Sequence, residues 1–274
     1  MPKAKQLKVA SLQMVSTSDL DTNLITATNL IKQAADQGCS IAVLPEYFCL
    51  FGKRDTDKLA IQETFGSGKL QDALAEISQK NQIHIVAGTI PLSSDDPNRV
   101  WNSSLVYAPS GKVIARYDKI HLFSFSQGNE SYDESKTLFA GNTPVTFDIT
   151  ENQTTWRFGM SICYDIRFPE LYRSIGEVDC QIIPAAFTYT TGQDHWEILL
   201  RSRAIENQCY FIASAQGGTH DNGRRTWGNS MIINPWGAVE SVLSEGPGIV
   251  IGELSKDLLN DVRSKLPALK HRKQ

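Results

Sequence analysis

The apolar positions of the chain switch repeatedly between a strand period and a helix period. Residues 7–14 read as a first strand. Leu24, Ala27, Leu30, Ile31, Ala34 and Ala35 then recur at helical spacing over residues 23–37, and Gly38 supplies a left-handed stop. Residues 41–44 are a continuous apolar run closed by Pro45, as in a strand buried on both faces. Leu70, Ala73, Leu74 and Ile77 fall at i, i+3, i+4 and i+7, which predicts a second helix. A strand over 83–90 follows.

Beyond residue 100 the rhythm shortens. Residues 103–107 and 112–117 flank Pro109-Ser110-Gly111, a hairpin signal. Strands at 145–149 and 157–162 lead to Cys163. A helix near 169–175, a strand at 180–183, a helix from Asp194 and a strand at 209–215 come next. Asp194 with Glu197 three residues on reads as a capping box. Strands at 230–234, 239–242 and 249–253 precede a helix at 256–264. Such alternation, interleaved with hairpins, predicts an α/β fold of mixed sheets layered with helices. One stretch, 121–142, has no period. It holds Phe123, Phe125, Tyr132 and Phe139, so it reads as an ordered loop lining a site.

Composition narrows the choice of function. With 274 residues and 41% apolar content, one core of this size needs no disulfide or metal to hold it. No linker or repeat divides the chain, which predicts one domain over 1–274. The net charge of −3 argues against a nucleic-acid or membrane-surface binder. Five cysteines without a CxxC pair form neither a disulfide framework nor a zinc ribbon. Polar residues interrupt 7–14, so no signal-peptide core is expected, and no apolar window suits a membrane helix. Together these point to the cytoplasm. No HxxxH, GxGxxG or GxxxxGK[ST] pattern occurs, so no metal, nucleotide or other cofactor is expected.

Three residues at strand ends carry candidate chemistry. Cys163 follows an apolar strand and opens Tyr164-Asp165-Ile166-Arg167, a strand-to-helix turn that exposes a nucleophile. Backbone N–H groups at that turn are expected to hold an oxyanion and to favour the thiolate. Glu46 is carried to a sheet rim by residues 41–45, where desolvation raises a carboxyl pKa into the range of a general base. Lys119 also ends a strand, although a lysine alone is ordinarily a solvated charge. The rival partner for Cys163 is a histidine. His84, His121, His195, His220 and His271 each sit less favourably than Glu46: mid-strand, facing away, early in a helix, in a polar loop, and in a basic tail.

In this order, Glu46 in Leu-Pro-Glu, Lys119 in Tyr-Asp-Lys-Ile-His-Leu-Phe and Cys163 in Cys-Tyr-Asp-Ile-Arg-Phe-Pro-Glu-Leu resemble the nitrilase superfamily of carbon-nitrogen hydrolases. The resemblance runs nearly the whole length of the chain. It implies a four-layer αββα sandwich of two mixed sheets that commonly pairs into an αββα–αββα homodimer. It also implies a Glu46-Lys119-Cys163 triad, with Glu134 as a second glutamate orienting Lys119 or substrate. Segments such as Asp194-His195-Trp196-Glu197 and Asn234-Pro235-Trp236-Gly237 are similar to the branch of deaminated glutathione amidases and omega-amidases. Two departures stand out: Asn229 where that branch suggests histidine, and a stretch at 124–130 without its Pro-Gly.

The activity so implied is hydrolysis of a small, carboxylate-bearing amide through a thioester on Cys163, with Lys119 and the Tyr164 N–H facing the oxyanion. Phe187 and Thr188 are expected to line the pocket. Arg167, Lys136 and Arg224 are candidate carboxylate anchors, although Arg167 also reads as a partner for Glu170. Other readings are a nitrilase or N-carbamoyl hydrolase with the same triad, and a silent binding or scaffold protein of the same fold.

Overall fold

The computed structural model describes residues 5–128 and 130–273. The first half runs β1 (Gln6–Gln13), α1 (Leu20–Asp36), β2 (Ile41–Val43), α2 (Lys69–Asn81), β3 (His84–Val86), β4 (Ile90–Ser93), β5 (Val100–Tyr107) and β6 (Val113–Asp118). Three short strands follow: β7 (Ser124–Gln127), β8 (Glu130–Asp133) and β9 (Leu138–Phe139). The second half continues with β10 (Thr146–Glu151), β11 (Thr154–Met160), α3 (Pro169–Ile175), β12 (Cys180–Ala185), α4 (Tyr189–Asn207) and β13 (Tyr210–Ala215). It closes with β14 (Gly217–Thr219), β15 (Arg225–Trp227), β16 (Ser230–Ile233), β17 (Val239–Leu243), β18 (Gly248–Ser255), α5 (Lys256–Lys265) and α6 (Ala268–His271).

Two mixed sheets face each other between helical layers. The first is ordered β18-β1-β2-β3-β5-β4, with β6 and β9 also paired to β5, and the second β10-β11-β12-β13-β16-β17. The two-residue strand period sets the layers. In β1, Leu7 and Val9 join the core shared with Trp156, Phe158 and Ile212 of the second sheet. Ala10 and Leu12, one residue out of phase, join the core under Leu30, Ile31 and Ala34 of α1 and Leu70, Leu74 and Ile77 of α2. In the remaining helical layer, Tyr172 of α3 packs on Phe211 of β13 and Trp196 of α4 is fully buried. Each such side chain contributes roughly 1.5–3 kcal/mol by leaving water. This is the four-layer αββα sandwich. Ser11 Oγ donates to the Ala213 carbonyl at 2.7 Å and Ser214 Oγ to that of Val43 at 2.8 Å, so polar bonds also tie the sheets together.

Several expectations need correction. The strand expected over 83–90 is two strands, β3 and β4, broken at Gly88. There φ is +45°, and a Cβ would lie 2.0 Å from the Pro45 carbonyl oxygen, so only glycine fits. The kink lets Thr89 Oγ1 accept from the Tyr47 N–H at 2.9 Å, fixing the chain just beyond Glu46. Helix α4 begins at Tyr189, five residues before Asp194, and its cap is Thr188, which accepts from the Thr191 N–H. Tyr-Thr-Thr-Gly is a poor helix start by propensity. It is stabilised by packing: Gly192 lies so close to Trp227 that a Cβ would meet that side chain at 2.2 Å.

The aperiodic stretch 121–142 is built. It contains the β7–β8 hairpin, a 3-10 turn at Glu134–Lys136, and β9, which adds to the first sheet. Strands of two to four residues are too short to show a period. His220 lies in the loop between β14 and β15, as expected, and is buried there between the Ser16 carbonyl and Thr226 Oγ1, stacked on Phe51.

Candidate active site

Glu46 lies three residues beyond β2, Lys119 one residue beyond β6 and Cys163 three residues beyond β11. The structure brings these three and Glu134 together. Glu46 Oε1 accepts from Lys119 Nζ at 2.9 Å and from Asn102 Nδ2 at 2.9 Å, and Oε2 accepts from the Ala186 N–H at 3.1 Å. Lys119 Nζ also reaches both Glu134 oxygens, at 3.0 and 2.8 Å. Glu134 accepts in addition from the Tyr47 hydroxyl and the Phe123 N–H, each at 2.7 Å. The Cys163 thiol and the Glu46 carboxylate line the same cavity, close enough for each to act on the other's ionisation. Lys119 is 0% and Glu46 1% exposed, so charges that would be costly in isolation are held by near-complete pairing.

Cys163 sits in a left-handed backbone conformation, φ +46°. A non-glycine residue there costs on the order of 1–3 kcal/mol and must be held by its surroundings. Asp165 holds it. This fully buried carboxylate accepts from the Ile162 N–H at 2.8 Å, the Tyr117 hydroxyl at 2.7 Å and the His121 N–H at 3.0 Å, and meets His121 Nδ1 at 2.7 Å. The elbow is thereby locked to the end of β6, the strand that delivers Lys119.

The two carboxylates are driven apart electrostatically. Burial raises the Glu46 pKa; Lys119 pulls it down, Glu134 pushes it up, and the net direction is upward. Burial is the largest single influence on Glu134 and pushes it up, but Lys119, the Phe123 N–H and Lys58 together hold that carboxyl below its ordinary value. Lys119 is opposed by burial, yet Glu134 and Glu46 carry it well above the usual lysine value. Glu134 therefore stays ionised as counter-ion, while Glu46 is the carboxylate suited to hold a proton. Burial, with Glu46 beside it, pushes the Cys163 thiol well up. This corrects the expectation of a favoured thiolate: the turn at Cys163–Arg167 is a five-residue 3-10 helix, too short to offset desolvation and a neighbouring anion.

Beside Cys163 lies a cavity whose walls include Tyr164, Arg167, Phe187 and Thr188. Arg167 does not pair with Glu170. Its guanidinium lies 3.3 Å from His195 Nδ1 and over the rings of Phe187 and Tyr164, with no carboxylate partner among the described residues. Lys136 is 77% exposed, 3.7 Å from Asp133, and lies off the cavity wall, whereas Arg224 is part of it. His84, His121, His195 and His220 bond elsewhere, to Ser40, Asp165, Arg167 and Ser16 respectively. Among the described residues, no cluster of His, Cys, Asp or Glu is arranged to hold a metal ion, and no helix is long and apolar enough to cross a membrane.

Sequence reading missed Tyr47, Asn102 and Asp165. Asn102, a buried amide inside a strand, and Asp165, an acid two residues past Cys163 among apolar neighbours, are the polar interruptions that could have signalled them.

The carbon-nitrogen hydrolase family model matches residues 8–264. A deaminated glutathione amidase of Synechocystis sp. (strain ATCC 27184 / PCC 6803 / Kazusa) is 41% identical over 274 residues, 98% of each chain. The omega-amidase NIT2 of Homo sapiens is 34% identical over 271 residues, covering 97% of this chain and 95% of that protein. The crystal structure of Saccharomyces cerevisiae Nit3, a member of branch 10 of the nitrilase superfamily, superposes with a TM-score of 0.86 at 29% identity, covering 98% and 97% of the two chains.

Proposed function

The chain belongs to the carbon-nitrogen hydrolase family and is an amidase, and on that premise we propose that it cleaves a small carboxylate-bearing amide through a thioester on Cys163. The observation that carries this reading is the buried Glu46–Lys119–Glu134 cluster on the same cavity as the Cys163 thiol.

The chemistry follows from the charges. An amide carbonyl is a poor electrophile and the resting thiol is protonated. Glu46 removes the thiol proton as sulfur attacks the carbonyl carbon. It then gives that proton to the departing amine as the C–N bond breaks. In the second half it takes a proton from water as oxygen attacks the thioester, and returns it to sulfur as the acid leaves. Two moderate barriers replace one high one. The Lys119 ammonium and the Tyr164 N–H face the oxyanion, where one such donor is worth about 3–4 kcal/mol. Arg167, Phe187 and Thr188 hold the acyl part, the unpaired guanidinium of Arg167 facing its carboxylate.

Deaminated glutathione is the first substrate we infer, after the relative with 41% identity. The second reading is an omega-amidase acting on 2-oxoglutaramate or 2-oxosuccinamate, favoured by the 34% identity to human NIT2. We further read residues 1–274 as one hydrolase domain that works in the cytoplasm as a homodimer, with small amides and not nucleic acid or membrane as partners.

Comparing kcat/KM for deaminated glutathione, 2-oxoglutaramate, a nitrile and an N-carbamoyl amine tests the proposal. One of the two amides is expected to lead, and their order decides between the readings. A nitrile or carbamoyl preference contradicts both.

The roles also make a pH prediction. Glu134 raises the pKa of Glu46 and shares Lys119 with it. Glu134→Gln removes that repulsion and leaves Lys119 to Glu46 alone. The acid limb of kcat/KM, set by ionisation of Glu46, is expected to move to lower pH by about 1 unit or more. An unmoved or upward-shifted limb assigns it to another group.

A further inference from the structure

A second cavity adjoins the one at Cys163 and shares Tyr47, Phe123, Glu134 and Arg224 with it. Acids and bases both line it, so what matters is which charges are already satisfied. Glu134 is filled by Lys119, Tyr47 and Phe123. Arg54 is bound to Asp57 at 3.0 Å, and Asp133 accepts from the Ser135 N–H and hydroxyl. Two cations are left. Lys58 Nζ has only a long bond of 3.3 Å to Thr137 Oγ1 and the face of Tyr47 at 5.2 Å, and no described carboxylate pairs with it. Arg224 lies 4.8 Å from the centre of the Phe51 ring and 4.9 Å from that of Tyr132, with Asp55 no nearer than 3.8 Å.

Lys58 feels Glu134 and Asp55 across this cavity without a direct ion pair to either, so an entering anion would give it a contact partner. Burial already pushes Lys58 below its ordinary lysine value. Contact with the rings of Phe51 and Tyr132 restricts the Arg224 guanidinium, whose planar fork suits a carboxylate.

We propose that this second chamber is a carboxylate subsite in which Lys58 and Arg224 bind the far end of an extended amide substrate whose reacting carbonyl lies at Cys163. The inference rests on the amidase reading and sharpens it. A substrate anionic at both ends, as deaminated glutathione is, would be held by Arg167 at one end and by Lys58 with Arg224 at the other. A short omega-amide would leave the second chamber unused.

The test compares deaminated glutathione with the same molecule capped as its C-terminal carboxamide, which removes only the distal charge. The wild-type enzyme is expected to favour the free acid by about 10–100-fold in kcat/KM, carried mainly by KM, the scale of a charge-assisted hydrogen bond. Lys58→Met is expected to lower that ratio several-fold, with Arg224 accounting for what remains, and Lys58→Arg to retain most of it. Damage to folding or to Glu134 lowers both substrates together and leaves the ratio intact, so a ratio unchanged in Lys58→Met overturns the assignment. Equal turnover of acid and carboxamide by the wild type overturns the subsite itself. Failure of the wild type to cleave either one refutes the amidase substrate reading instead.

Discussion

Cys163→Ser is expected to lower kcat for amide cleavage by about 10⁴-fold or more while leaving the melting temperature within a degree or two of wild type, the magnitude seen when a nucleophile is removed from a cooperating set. The side chains are nearly isosteric, and the site is 8% exposed, so packing changes little. The hydroxyl is a far weaker acid than the thiol, and Glu46 is not basic enough to draw its proton. Amine release followed with thermal unfolding checks both halves. Full turnover in this variant removes the thioester proposal, and a wild type that binds amides without turnover restores the scaffold reading. Selective alkylation gives a parallel readout. All five cysteines are buried, and burial pushes the thiols of Cys49 and Cys209 up to about 12, but Cys163 borders a cavity, so it is the one expected to react first.

Lys119→Met is expected to be the most destabilising single change at the site, by about 3–5 kcal/mol at neutral pH, the cost of leaving one side of a buried ion pair without its partner. Glu46 and Glu134 would then face each other across a buried space with no cation between them. Their folded-state pKa values would lie above the unfolded value of about 4.3. Protonation therefore favours the folded variant. Its deficit relative to wild type should be fully present above those raised values, shrink as pH falls through them, and stop shrinking near the unfolded value. Urea unfolding of both proteins at pH 5 and pH 8 measures the gap. A deficit equal at both pH values shows that the lost lysine acted through packing and not through its charge.

How much of this was legible beforehand differs from element to element. Glu46 and Cys163 stand out because each follows an apolar strand, and a strand's end is where a sheet presents polar groups; Lys119, after the mixed strand β6, stands out only through the family resemblance. Their convergence was not legible from periodicity. It follows from β2, β6 and β11 ending at one rim, a matter of pairing between segments far apart in sequence. Asn102 and Asp165 escaped notice for the same reason: their partners, Glu46 and Tyr117, lie 56 and 48 residues away. The start of α4 was misplaced because local propensity favoured Asp194, while the contact of Gly192 with Trp227 and the Thr188 cap decided the matter through tertiary structure. Gly88 shows the converse. Its apolar neighbours read as one strand, and the close approach of Pro45 that breaks it leaves no mark on the hydropathy pattern.

The most direct measurement is acid quench of the enzyme during turnover of an amide, followed by mass mapping of its peptides. The account predicts an adduct on the Cys163 peptide, equal in mass to the substrate less its amine, that forms with a burst of amine and is absent from Cys163→Ser. Steady amine release with no such adduct, persisting when Cys163 is replaced by serine, would contradict it.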